Sequence, residues 1–228
     1  MRMDIKRGFA WLWREWIKSL LIIVVIVGAF RSAVADWNDV PSGSMKPTIL
    51  PGDRVVVNRL AYDLKLPFTR VRLARWNSPQ RGDVVVLFSP ADNVRLVKRV
   101  VGIPGDTVAL RNDRLVINGL PLEYRQGAPP AAGAPTEHTI RALEHLGDDW
   151  HELQIVPETP AMRSFGPVLV PARHYFVMGD NRDQSSDSRV FGFVAQDRIV
   201  GRAFAVAASL DPERHYLPRW QRFLRALH

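Results

Sequence analysis

The sequence predicts a mainly β protein: an antiparallel β-sheet domain, an N-terminal transmembrane helix and a small insertion. Three observations carry this. Short β-branched runs recur beyond residue 36 with turn residues between them. One uninterrupted apolar run lies near the N-terminus. A stretch from 120 to 166 lacks the alternation of its flanks.

The apolar run is Leu20 to Phe30 (LLIIVVIVGAF). It is too short to cross a bilayer, which takes about 20 residues. Extended over 16–35 it makes a span, with Lys18 and Arg31 placed to snorkel. Arg2, Lys6, Arg7, Arg14 and Lys18 outnumber Asp4 and Glu15 before it. Positive flanks stay inside, so residues 1–15 read as a cytoplasmic basic segment and the bulk of the chain lies outside. Trp11, Trp13 and Trp16 fit an interfacial belt. A cleaved secretory signal competes, because Ala33-Val34-Ala35 has the A-x-A pattern of a cleavage site.

The strands follow in order. Arg54 to Val57 comes after a Pro-Gly-Asp turn, Asp83 to Phe88 after Arg81-Gly82, and Leu96 to Val101 ends at Pro104-Gly105-Asp106. Val108 to Leu110 and Leu115 to Ile117 flank Arg111-Asn112-Asp113-Arg114 as a hairpin, and Asn118-Gly119 turns the chain again. His174 to Met178 and Arg198 to Ala207 are later strands. The β domain therefore runs over 36–119 and 167–210. In the insertion, 120–166, Gln126 to Pro135 (QGAPPAAGAP) is a flexible stretch and Thr139 to Leu146 reads as a short helix. In the tail, 211–228, Trp220, Phe223, Leu224 and Leu227 have helical spacing with Arg219, Arg222 and Arg225 between them. That predicts a basic amphipathic helix, lying on a membrane or on the domain's own core.

Composition narrows the chemistry. The net charge of +8 implies an anionic neighbour, either nucleic acid or acidic lipid. There is no cysteine, which excludes disulfides, thiolate metal sites and a thiol nucleophile. The densest cluster of functional residue types is Pro41-Ser42-Gly43-Ser44-Met45-Lys46-Pro47-Thr48. Two prolines restrict the backbone, Gly43 leaves room for a substrate backbone, and two hydroxyls sit at i and i+2. A serine nucleophile needs a base. Of the histidines, 138, 145 and 151 fall in the insertion, and 215 and 228 in the tail. His174 starts a strand with no nucleophile elbow beside it. Lysine occurs only at 6, 18, 46, 65 and 98. Lys98 shares a strand face with Leu96 and Val100; there it is either a desolvated amine of lowered pKa or an edge-strand surface lysine. Met178 to Arg189 (MGDNRDQSSDSR) is a polar loop whose acids lack EF-hand spacing and whose side chains suit a self-satisfying hydrogen-bond network.

Together, Pro41 to Arg54, Arg81 to Phe88, Val97 to Asp106 and Tyr175 to Phe193 resemble the bacterial signal peptidase I family in kind, order and spacing. The resemblance implies a membrane-bound Ser-Lys serine endopeptidase that removes signal peptides from exported preproteins. It implies Ser44 as nucleophile, Lys98 as general base, Ser42 with the Ser44 amide as oxyanion hole, and Ser185 as the hydroxyl that orients the lysine. Arg99, Asp180, Arg182, Asp187 and Arg189 fall on supporting positions. Met45 matches a pocket-lining position; Ile49, Leu96 and Val97 are further pocket residues. Gln184 replaces a common Asn, and Val190-Phe191 a more aromatic pair. No metal or cofactor is implied. The partners are preprotein signal peptides and the lipid bilayer, with no nucleic acid, and the location is the bacterial cytoplasmic membrane, single-pass, with the catalytic domain on the outer side. Two other readings are a self-cleaving Ser-Lys repressor, which needs an N-terminal helix-turn-helix, and a non-catalytic membrane-anchored scaffold. A specialised processing peptidase is a variant within the endopeptidase reading.

Overall fold

The computed structural model describes residues 13, 16–28, 35–66, 71–128 and 139–227. Residues 16–28 are helical. Among the described residues no helix is long and apolar enough to cross a membrane. Most of the basic N-terminal segment, the end of the expected span and most of the Ala33-Val34-Ala35 site lie outside the described residues, as does 129–138. Ala35 itself opens the first strand.

The remainder is mainly antiparallel β, with a short α-helix at Ser188–Phe191 and a few 3-10 turns. In chain order the strands are β1 (Ala35–Asp39), β2 (Asp53–Asn58), β3 (Asp63–Lys65), β4 (Arg72–Arg75), β5 (Val84–Phe88), β6 (Arg95–Gly102), β7 (Thr107–Arg111), β8 (Arg114–Ile117) and β9 (Leu120–Pro121). They continue with β10 (Tyr124–Gln126), β11 (Ile140–Leu146), β12 (Asp149–Ile155), β13 (Phe165–Leu169), β14 (His174–Met178), β15 (Val194–Ala195), β16 (Ile199–Asp211), β17 (Leu217–Pro218) and β18 (Arg225–Ala226). The main sheet is ordered β1-β2-β16-β5-β6-β14-β15, with β17 and β18 also pairing β16. Smaller sheets are β13-β7-β8-β9, β10-β11-β12 and β3-β4.

Local chemistry explains the register. Asn112 and Asp113 both take positive φ between β7 and β8, as do Asn118 and Gly119 between β8 and β9. Two-residue turns of that hand match the twist of the strands they join. Strand β5 reads VVVLF without alternation because it is covered on both faces. Val84 and Val86 enter one core cluster with Val55, Val57 and Val206. Val85 and Leu87 enter another with Val100, Tyr175 and Val177. A third cluster joins β7 and β8 to Phe176 and Met178. Strand β16 bridges β2 and β5 and bends at register shifts against both, which lets one long strand serve a curled sheet.

Two expectations are corrected. Thr139 to Leu146 is not a helix: residues 140–146 form β11, paired with β12 from Ile140↔Ile155 to Leu146↔Asp149. Ile140, Leu143 and Leu146 mimic helical spacing, and the inward position Glu144 is a carboxylate, which hides the period of two. The tail is not an amphipathic helix either. It is a 3-10 turn at Pro212–Arg214, β17, a second 3-10 turn at Trp220–Arg222 and β18. Arg222, assigned to the polar face, is buried on Asp53 with contacts of 3.1 and 2.5 Å. Arg219 bonds Ser209 Oγ and the Pro51 and Leu210 carbonyls. Leu227 alone of the four apolar positions is buried in a core, while Leu224 is 81% exposed.

Candidate active site

The serine turn, residues 41–49, bridges β1 and β2. Met45 and Ile49 anchor it, both wholly buried against Val84 and Val86 of β5. The Ile49 N–H bonds the Met45 carbonyl at 2.9 Å, so the turn folds back on its own anchor and lifts Ser44 off the core. The Ser44 hydroxyl is left partly exposed. Ser42 Oγ lies 3.3 Å from Ser44 Oγ.

Lys98 comes from the middle of β6, opposite Val85. Its side chain is almost fully buried, and its Nζ lies 2.7 Å from Ser44 Oγ. The surface-lysine alternative is thereby removed. Burial disfavours the ammonium and pulls the Lys98 pKa down to about 8; Asp187 and Asp180 oppose this, and Arg189 adds to it.

The polar loop after β14 closes over this pair. Gly179 leaves no room for a side chain: a Cβ there would stand 2.3 Å from Ser185 Oγ and 2.4 Å from the Ser44 carbonyl oxygen. This contact places Ser185 beside the serine turn. Its Oγ is buried and makes no hydrogen bond among the described residues. Asp187 accepts from Gly179 N–H at 3.0 Å and from Arg189 at 2.9 and 2.8 Å. Arg189 also donates to the Arg182 carbonyl. Arg99 forks onto both Asp180 oxygens at 2.9 and 2.8 Å and bonds the Gly82 carbonyl. Burial works against ionised Asp180, yet Arg99 and then His151 and Thr48 hold its carboxyl below the usual range.

Of the pocket residues, Met45 and Ile49 lie beneath the turn, whereas Leu96 and Val97 are only partly buried. Sequence reasoning missed Thr48, Asn181, Glu144, His151 and Tyr124. Thr48 Oγ1 donates to Asp180 at 2.6 Å. Asn181 donates its N–H to the Ser44 carbonyl and its Nδ2 to that of Gly43, both at 3.1 Å. Glu144 bonds Arg182 at 2.6 Å. His151 is buried against Arg99 and Asp180, and burial pulls its pKa down to about 4, so the ring is neutral at pH 7. Thr48 and Asn181 lay inside the motif segments. Glu144, His151 and Tyr124 lie in the insertion, where no pattern marked them.

A serine hydroxyl on a desolvated amine, set into a curled antiparallel sheet, defines a serine hydrolase that needs no histidine. Comparison with known proteins gives the family. The model for "Signal peptidase, peptidase S26" matches residues 13–208, and the chain belongs to that family. It is 40% identical over 222 residues to a signal peptidase I of Pseudomonas fluorescens, covering 91% of this chain and 77% of that one. It is 39% identical over 223 residues to a signal peptidase I of Pseudomonas aeruginosa, with the same coverage. A crystal structure of a signal peptidase I from Enterococcus faecalis is 32% identical and spans 55% of this chain and 97% of that one, with a TM-score of 0.35, too low to compare folds. The chain is a serine endopeptidase of this family.

Proposed function

We propose that this enzyme removes N-terminal signal peptides from exported preproteins, with Ser44 as nucleophile and Lys98 as its general base. The observation that carries the assignment is the 2.7 Å contact between a buried amine and the Ser44 hydroxyl. Neutral Lys98 takes the proton as Ser44 Oγ attacks the scissile carbonyl carbon. The oxyanion is held by Ser42 Oγ and the Ser44 N–H; one such donor is worth about 3 kcal/mol. Protonated Lys98 passes its proton to the departing amine as the C–N bond breaks. Water, deprotonated by Lys98, then releases the acyl group from Ser44. Ser185, whose buried Oγ makes no hydrogen bond among the described residues, is the hydroxyl that the family resemblance assigns to holding the lysine. The substrate lies extended along the sheet edge, with Leu96 and Val97 facing its side chains and Met45 and Ile49 fixing the floor.

The membrane reading is also ours. Along residues 16–28 the apolar side chains point outward on every side, from Leu20 at 61% exposed to Val27 at 51%, with Trp16 at 72%. A helix apolar all round belongs in lipid. The proposal is therefore a single-pass protein of the bacterial cytoplasmic membrane, its β domain on the outer face where preproteins emerge. A repressor would need a DNA-binding module where the family match begins, at residue 13; an inert scaffold would have no use for a desolvated lysine.

Incubation of the detergent-solubilised protein with a model preprotein tests the assignment. Wild type should release the mature chain, and Ser44→Ala should release none while keeping the wild-type melting temperature. Cleavage by Ser44→Ala at the wild-type rate would overturn it.

A further inference from the structure

The three-stranded sheet β10-β11-β12 stands outside the main sheet, but its polar side chains and one strand edge lead to the serine turn. Glu144, in the middle of β11, is wholly buried. Its Oε2 accepts from Arg182 at 2.6 Å, and its Oε1 accepts from the Tyr124 hydroxyl. That hydroxyl accepts in turn from the Leu115 N–H at 2.9 Å. His151, opposite Glu144 in the β11–β12 register, brings Nε2 to 3.4 Å from Glu144 and 3.9 Å from Asp180.

The backbone continues the connection. Gln154 of β12 donates its N–H to the Asp180 carbonyl and accepts from the Arg182 N–H, both at 2.9 Å. Gln154 and Asn181 thus form a short parallel bridge. Asn181 then donates to the Ser44 and Gly43 carbonyls. Asp180 carries Arg99, the residue next to Lys98. The route from insertion to hydroxyl is therefore unbroken.

A buried ion pair is poor support for stability, since apolar residues of equal size do as well or better. The Glu144–Arg182 pair calls for another role, and its place on this route supplies one. We propose that Glu144 is a positioning residue: by clamping Arg182 it fixes segment 180–182, which holds the Ser44 turn on one side and the Lys98 strand on the other. The proposal rests on Ser44 and Lys98 being the reacting pair. It makes the insertion part of the machinery that aligns them.

The test uses full-length enzyme in detergent and steady-state cleavage of a preprotein. Glu144→Gln keeps the shape of the side chain and removes its charge. Tyr124→Phe takes away one hydrogen bond to the same carboxylate and is the milder variant. Misplacing reacting groups by about 1 Å costs on the order of a hundredfold in rate. Glu144→Gln should lower kcat about tenfold or more with KM within about twofold of wild type, and Tyr124→Phe should lower it less, in the same sense. Should Glu144→Gln fail to fold, Tyr124→Phe decides. Wild-type kcat in the deciding variant, whatever its melting temperature, overturns the proposal, as does a loss carried by KM. Ser44→Ala runs beside them: if it still cleaves, the underlying dyad fails, whereas an inactive Ser44→Ala beside an unaffected Glu144→Gln sinks only the positioning role.

Discussion

At the scale of the residue, the chemistry turns on one amine. Lys98 can accept a proton only when neutral, and burial has brought its pKa from 10.5 to about 8. The rate with subsaturating substrate should therefore climb with pH and level off above about pH 8, and a profile of kcat/KM against pH reads this directly. The same burial carries a stability consequence. The folded pKa lies below the unfolded one, so the unfolded state binds the proton more tightly. The penalty is complete below about pH 8 and fades as pH rises toward 10.5. A tenfold difference in proton affinity between the two states is worth about 1.4 kcal/mol, so Lys98→Met should be inactive yet stabilised at pH 7 by up to about 3 kcal/mol, less at pH 10. Denaturant titrations at the two pH values check the sign. An unstabilised Lys98→Met at pH 7 would mean the amine is better solvated than its burial implies.

At the scale of the element, small groups decide what a segment becomes. Asn-Asp and Asn-Gly tolerate positive φ, so the β7–β8–β9 turns were legible as written. The tail was not. Its apolar spacing is helical, but Arg222 has a partner across the fold in Asp53, and β16 supplies open edges for β17 and β18. Asp53 is wholly buried and also accepts from the Leu50 N–H at 2.8 Å. Its loss would leave a buried guanidinium unpaired, and breaking one side of such a pair costs about 3–5 kcal/mol. Asp53→Asn should be destabilised by that order in urea unfolding, and protease should clip residues 211–228 faster than in wild type. A similar blindness affected β11, where an inward carboxylate replaced the expected apolar residue.

At the scale of the whole molecule, an apolar helix precedes a domain that carries its site on the serine turn and β6, with the polar loop packed beside them. The full chain should sediment with membranes and resist extraction by carbonate. A chain beginning at Asp36 should appear in the soluble fraction. If the full chain washes off with carbonate, the helix does not anchor it.

The sequence alone determined the β class, the strands that flank the site, and the two residue types that meet there, because alternation, turn chemistry and motif order are local properties. Lysine scarcity left few candidates for a base, and the resemblance of the motif segments pointed at Lys98. Only the tertiary structure decided that this amine is buried, that it lies 2.7 Å from Ser44, and that Glu144 and His151 of the insertion pack behind the site. Burial and electrostatic pairing depend on which distant segments a side chain meets in space, and spacing along the chain does not encode that.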